Sequence, residues 1–431
     1  MHIPDGYLAP AFSLGMGVVT VPSWAIAARR VRKQLNQRTV PLLAIFAAMC
    51  FTIMMFNVPV PGGTTAHGVG GTLVAIVLGP SAAVIVVSTA LIIQALFFGD
   101  GGVLSIFANC FNMGVVLPIV GYLTYLLVAG KSPLLSTRRV WAAGIGAYVG
   151  ISVAALFVGI ELGLQPLLFN DNGTPLYSPY GLQVAVPAML AAHMFGASLV
   201  EAIITGLGVA YLQQHHPEFL TSLRFASGGD TTIAVGQTKS RPTWQLVGGG
   251  IVLVAIVLLV AGFITGGGDL SNAFGADWSS VDWSGVGTML SIVAVLGAIL
   301  IPLAWFGLPR KIRTIGTAYV AIAIITPIGL IAPGFAYGEG GPDDLQKELG
   351  YVPQGMQDLS GFFSAPFKEY NMPLPFFNAD DAPMWHTAIG YELAGLIGML
   401  VLGLILWGIG TLIMRRDVES DLATPSGAVP G

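Results

Sequence analysis

The sequence predicts an all-α polytopic membrane protein of about eleven transmembrane helices, and three observations carry that prediction. First, the chain is 54% hydrophobic and 9% charged over 431 residues, where soluble domains carry about 25% charged residues. Second, apolar runs recur at close to the ~20 residues that a helix needs to cross a bilayer. Third, the basic residues are clustered: Arg29, Arg30, Arg32, Lys33 and Arg38; Lys131, Arg138 and Arg139; Arg224, Lys239 and Arg241; Arg310, Lys311 and Arg313; Arg415 and Arg416. These five clusters hold 16 of the 18 Lys and Arg. By the positive-inside rule they mark the cytoplasmic face.

Taken in order, the spans fall at about 8–28, 40–58, 82–98, 103–128, 140–163, 184–212, 243–265, 286–307, 314–335 and 386–414. One span separates Met1 from the Arg29 cluster, so the N-terminus lies outside, and the second span returns the loop PVPGGTTAHGVGG (59–71) to the same side. From that loop to Lys131 an odd number of crossings is required, yet only two full-length spans intervene. Residues 69–81 must supply the third. About 13 residues of helix cover ~20 Å, so this is a short crossing broken at Gly79 and Pro80, tolerable where protein shields it from lipid. Residues 1–212 then form a seven-helix domain, followed by a polar cytoplasmic linker (213–242), three spans (243–335), an outer loop (336–385), a last span (386–414) and a disordered tail (415–431) whose C-terminus is cytoplasmic. The outer loops carry most of the acidic residues, a bias that suits attraction of cations and equally suits topology. The first Lys or Arg is Arg29, beyond the first apolar run, which argues against a cleaved signal peptide.

The opening stretch MHIPDGYL holds a compact nitrogen chelator. A free Met1 amine, the His2 backbone nitrogen and His2 Nδ1 can close two rings about one ion, provided Met1 is retained. His67, in the glycine-rich loop on the same face, supplies a fourth nitrogen. Such a set favours a tetragonal ion, Ni(II) or Cu(II), over Zn(II) or Mg(II). Asn109 and Asn112, one turn into the fifth crossing, are candidates to orient His67, or they cap and pack helices. Asp5 and Gly6 read as the turn that tucks the terminus in, and Asp5 is a further candidate to orient the ligands. His193 and Glu201 are intramembrane ionisable residues, functional candidates by default. They serve either as structural hydrogen-bonding groups or as the working residues of a proton-coupled carrier or membrane metalloenzyme. His215 and His216 read as solvated helix ends or as a metal relay. Cys50 and Cys110 lie inside apolar segments with neither metal nor redox spacing. Gly130, Lys131 and Ser132 lack the upstream glycine of a phosphate-binding loop, Tyr125 standing in its place. The chain therefore contains no site for driving uptake with its own ATP.

MHIPDGYL, the loop GGTTAHGVGG, the run GDGGVLSIFANCFNMGVVLP (99–118) and HMFGASLVEAIITGLGVAYL (193–212) together resemble the CbiM/NikM family. Its members are the substrate-capture membrane components of energy-coupling-factor transporters for cobalt and nickel. The resemblance covers about residues 1–215 and implies Met1, His2 and His67 as metal ligands. It implies Ni(II) or Co(II) as transported substrate, with nickel favoured by the nitrogen set, and no organic cofactor. It further implies a coupling membrane subunit and a pair of ATPase subunits as partners, residence in a bacterial plasma membrane, no role in nucleic-acid binding and no enzymatic activity of the chain itself. The last third resembles the accessory membrane subunit of the same transporters, here fused, through GEGGPDDLQKELGYV (338–352) and HTAIGYELAGLIGMLVLG (386–403). Such subunits usually read PDG followed by Leu-Glu, where this chain has Pro342, Asp343, Asp344, Leu345 and Gln346. Residues 243–307 fall outside either resemblance.

Overall fold

A computed structural model describes residues 1–33, 35, 39–60, 64–221, 283–307, 337–378 and 383–423, with isolated positions between 317 and 330. The expected span 243–265, nearly all of 314–335, most of the linker 213–242, and the end of the tail from 424 lie outside the described residues.

The chain is an all-α polytopic membrane protein. Among the described residues, seven helices are long and apolar enough to cross a membrane: α1 (Pro10–Arg32), α4 (Pro80–Phe98), α5 (Ile106–Ala129), α6 (Thr137–Leu168), α7 (Leu182–His215), α8 (Trp283–Gly307, apolar from Val286) and α11 (Met384–Ala423, apolar to Met414). The apolar helix α2 (Thr39–Met55) is shorter. Several helices run past the apolar stretches that predict them. Thus α1 continues through Arg29, Arg30 and Arg32, cations that suit a helix C-terminus.

The expected break falls where the sequence puts it. Helix α3 (Gly71–Leu78) ends at Gly79, whose φ of +88° and ψ of 156° suit glycine alone, and Pro80 opens α4. Seven of the eight α3 residues are buried, so its exposed end groups meet protein rather than lipid. It is enclosed by α4, α5, α6 and α7. Helices α5 and α6 pack at backbone contact: a Cβ on Gly146 would lie 2.6 Å from the Gly121 carbonyl, and one on Gly150 2.7 Å from that of Leu117. Small residues at such crossings are how membrane helices gain contact without a hydrophobic driving force between them.

Three wide π turns interrupt the long helices, at Gln94–Phe98, Cys110–Val116 and His193–Ala197. Such turns cluster at functional positions. The loop before α3, read from sequence as irregular, contains a small antiparallel hairpin, Val58–Val60 with Thr64–Ala66. A second two-residue hairpin joins Asn170–Asp171 to Thr174–Pro175.

The fused C-terminal part docks on the N-terminal bundle. Helix α11 lies along α2, where Gly395 and Gly398 meet Met55 and Phe51, and the Tyr391 hydroxyl donates to the Met55 carbonyl at 2.8 Å. Ahead of it come α9 (Pro342–Leu349) and α10 (Gln354–Leu359). The PDDLQ departure is intelligible as a helix start. Pro342 takes the first turn, Asp344 accepts from the Gly341 amide at 2.9 Å, and Leu345 is buried.

Candidate metal centre

Residues 1–9 form a buried strap. Met1, His2, Ile3, Tyr7 and Leu8 are all 4% exposed or less, and such a segment needs a partner for every backbone group it carries inward. Asn109 on α5 meets Ile3 twice, accepting from its amide at 2.8 Å and donating to its carbonyl at 3.1 Å. The Gly102 amide also donates to the Ile3 carbonyl at 2.8 Å, and the Ser105 hydroxyl reaches the Pro4 carbonyl at 3.3 Å. Asp5 accepts from the amides of Val103 at 3.2 Å and Leu104 at 2.8 Å. Burial raises its carboxyl pKa above the usual value, and these amides offset part of that rise. The strap turns at Gly6, φ +93°, against Met356 of α10. It leaves toward α1 with the Ala9 amide on Gln165 Oε1 at 3.0 Å.

The strap delivers His2 onto His67. The two imidazoles stack with centroids 5.0 Å apart and planes 29° apart, and both residues are buried. His67 Nδ1 faces the Gly68 carbonyl at 2.9 Å, and His2 Nδ1 faces Asp100 Oδ1 at 3.0 Å. Both partners are acceptors, so in a neutral ring it is Nδ1 that carries the hydrogen and Nε2 the lone pair. Neither Nε2 has a hydrogen-bond partner, although both are buried. Burial, then the charge of the amino terminus and then His2, hold the His67 pKa well below its ordinary value, so its ring is neutral and free to donate electrons. The Met1 amine lies 2.7 Å from Glu339 Oε1.

His67, far from the terminus in sequence, is therefore the neighbour of His2. Among the described residues no group of three or more His, Cys, Asp or Glu side chains is arranged for a metal. The two imidazoles stack beside a terminal amine that is paired with Glu339.

Other expectations are corrected in detail. Neither asparagine orients His67. Asn109 is spent on the Ile3 backbone, and Asn112 donates to Glu161 Oε2 at 2.8 Å, inside the bundle. The reason is geometric, since α5 presents both side chains inward below the His67 loop. Asp5 acts on the 102–105 loop and so holds the strap rather than an imidazole. His2 Nδ1, the atom expected in the chelate, is engaged by Asp100, so entry of an ion through it requires that pair to open. His193 Nδ1 donates to the Met189 carbonyl of its own helix at 2.8 Å, and Glu201 accepts from the amides of Val69 and Gly70. His215 stacks on Tyr211 and His216 pairs with Glu218 at 3.1 Å, at the end of α7. Cys50 and Cys110 are buried and free.

Three residues that sequence reading did not single out border the centre. Asp100 lies between Gly99 and Gly101, both at positive φ. It accepts from His2, from the Tyr370 hydroxyl at 2.6 Å and from Gln94 at 3.4 Å. Burial pushes its pKa up, but the adjoining His2, with His67 and Tyr370, outweighs that and holds it below the usual carboxylate range. Glu339 and Tyr370 both come from the fused part. The Tyr7 hydroxyl, donating to the Gly340 carbonyl at 3.0 Å, ties the strap to the same segment. The only sequence signal was the run GDGG, and the others are separated from their partners by 270 residues or more.

Residues 2–219 match the family model described as CbiM, cobalt uptake substrate-specific transmembrane region. The fused nickel transport protein NikMN of Rhodobacter capsulatus is 35% identical over 95% of this chain and 96% of its own length. The protein named "Probable fused nickel transport protein LarMN", from Lactiplantibacillus plantarum, is 34% identical over 95% and 97%. The crystal structure of a truncated transition metal transporter matches 50% of this chain and all of its own at 55% identity, with a TM-score of 0.47. With a matched first half and relatives alike from end to end, the chain belongs to the CbiM family and is a transporter subunit in which an accessory membrane part is fused behind the substrate-specific one.

Proposed function

We propose that the chain captures a divalent transition metal, Ni(II) in preference to Co(II), through the Met1 amine, His2 and His67. It does so as the substrate-binding membrane component of an energy-coupling-factor transporter. The observation that carries this reading is the stacking of His2, next to the terminal amine in the chain, on His67, with the buried Nε2 atoms of both rings unpartnered. An unpaired buried polar atom is costly in free energy, and two at one point are reasonably placed for an incoming ion. The nitrogen donor set supports nickel. The nickel and cobalt transport named for the relatives agrees with it.

The arginines at the end of α1 and at the start of α6 lie at the opposite helix ends from those the strap meets through Ala9 and Gln165, which supports a site opening outside the cell. Without a nucleotide motif the chain depends on a coupling membrane subunit and a pair of ATPases to return the ion to the inside.

The test is a short extension. Placing an alanine and then three more before Met1 converts the amine to an amide and keeps His2 from becoming the third residue of a new amino-terminal chelate, and Ni(II) titration of the purified protein should then show affinity lost by orders of magnitude. Unchanged affinity in the extended protein overturns the ligand assignment.

A further inference from the structure

We propose that Glu201 is the positioning residue for His67: from the interior of α7 it fixes the loop that carries this imidazole. The inference rests on the ligand reading above and goes beyond it to a residue that touches no ion.

Helix α3 begins two residues after Val69, with Gly70 as its flanking residue, and its own side chains provide no cap. The first amides of a helix have no partner within it. Here the amide of Gly70, flanking the α3 start, and that of Val69 just before it are met from another helix. Glu201 Oε2 accepts from Val69 at 2.7 Å and from Gly70 at 2.8 Å, with Glu201 fully buried. A carboxylate is the strongest acceptor for such a pair and complements the positive end of the α3 dipole. The contact leaves no slack, since a Cβ on Gly68, the residue after His67, would lie 3.0 Å from the same oxygen.

A second contact grips the loop from the other side. The hairpin Val58–Val60 with Thr64–Ala66, ending one residue before His67, packs on the π turn His193–Ala197 of the same helix α7. The chain is thus held before and after His67, at 58–60 with 64–66 and at 69–70, by one helix. The imidazole's own hydrogen bond, to the Gly68 carbonyl, fixes its tautomer but moves with the loop. Beside the stacking of His67 on His2 and the packing of the loop on Ile53 of α2, the α7 contacts refer His67 to the bundle, and Glu201 makes the hydrogen bonds among them.

Metal affinity should therefore depend on Glu201 through His67 and through nothing else. Full-length protein with a free N-terminus would be titrated with Ni(II) in detergent as wild type, Glu201→Gln, Glu201→Ala, His67→Ala and the double variant Glu201→Gln with His67→Ala. Affinity would be read by competition with a metal indicator and ligand field by visible absorption. Loss of a group that orients a ligand weakens metal sites by about 10- to 100-fold. Glu201→Gln is expected to fall in that range, with an absorption band moved toward that of His67→Ala. In the double variant the second substitution should add nothing, because its target is already gone.

Wild-type affinity and absorption in Glu201→Gln overturn the proposal, as does additivity in the double variant. Failure to recover either Glu201 variant as monodisperse, helical protein also overturns it, because Glu201 would then hold the bundle rather than one loop. If His67→Ala itself binds like the wild type, the ligand assignment is what fails.

Discussion

Asn109 and Asn112 sit one turn apart on α5 and separate two roles that sequence reading left joined. Asn109 neutralises both backbone groups of Ile3, so it sets the register of the strap one residue from His2. Asn109→Ala leaves the Ile3 amide without its partner and the Ile3 carbonyl on Gly102 alone, which lets the terminus drift, and metal affinity should fall by about 10- to 100-fold. Asn112 instead donates to Glu161, a buried carboxylate whose other oxygen is unpartnered. Asn112→Ala removes that donor, and stability should fall by ~1–3 kcal/mol while the folded fraction binds metal as before. Ni(II) titration and thermal unfolding of both variants in one detergent check this. Equal losses of affinity would show that the two positions are not separable. The proposed chelate could be put forward from sequence because an amine beside His2 is local chemistry, needing no fold. Asp100 was not, because its partners His2 and Tyr370 lie about 100 and 270 residues away.

At the scale of elements, the interruptions matter more than the spans. Charge clustering and hydropathy showed most of the long helices, and counting crossings exposed the short one at α3. Gly79 and Pro80 then located its end, since few other dipeptides stop a helix so completely. The three π turns were invisible, for a one-residue insertion leaves hydropathy unchanged. The hairpin before His67 was hidden in a glycine-rich stretch that reads as loop. Because Gly79 occupies a region of φ and ψ open to glycine alone, with φ +88° and ψ 156°, Gly79→Ala should cost ~1–3 kcal/mol. Pro80→Ala, which needs no forbidden backbone, should cost less. Thermal unfolding orders the two. The reverse order would mean that Pro80, not Gly79, pins the break and with it the α3 start that Glu201 holds.

On the scale of the whole molecule, the fused part closes over the centre of the first. Every expected ligand lies in residues 1–67, yet Met1, His2 and His67 are only 4%, 3% and 7% exposed, and much of that cover comes from beyond residue 337. Glu339 meets the amine, Tyr370 meets Asp100, the Gly340 carbonyl receives the Tyr7 hydroxyl, and Met356 lies against Gly6. Fusion keeps this cover at high effective concentration, whereas a separate subunit would have to find its place. The cover contributes little to the ligand set itself, so its removal should act on rate more than on equilibrium. In a chain ending after residue 219, where the family match stops, Ni(II) should both bind and leave faster than in the full chain. The ratio of the two rates should change less than either rate alone. Stopped-flow mixing with a metal indicator, run on both lengths with the N-terminus free, measures the pair. Identical rates would show that the ion reaches the centre without displacing residues 337–378. A collapse of affinity would show instead that Glu339 or Tyr370 belongs to the binding set.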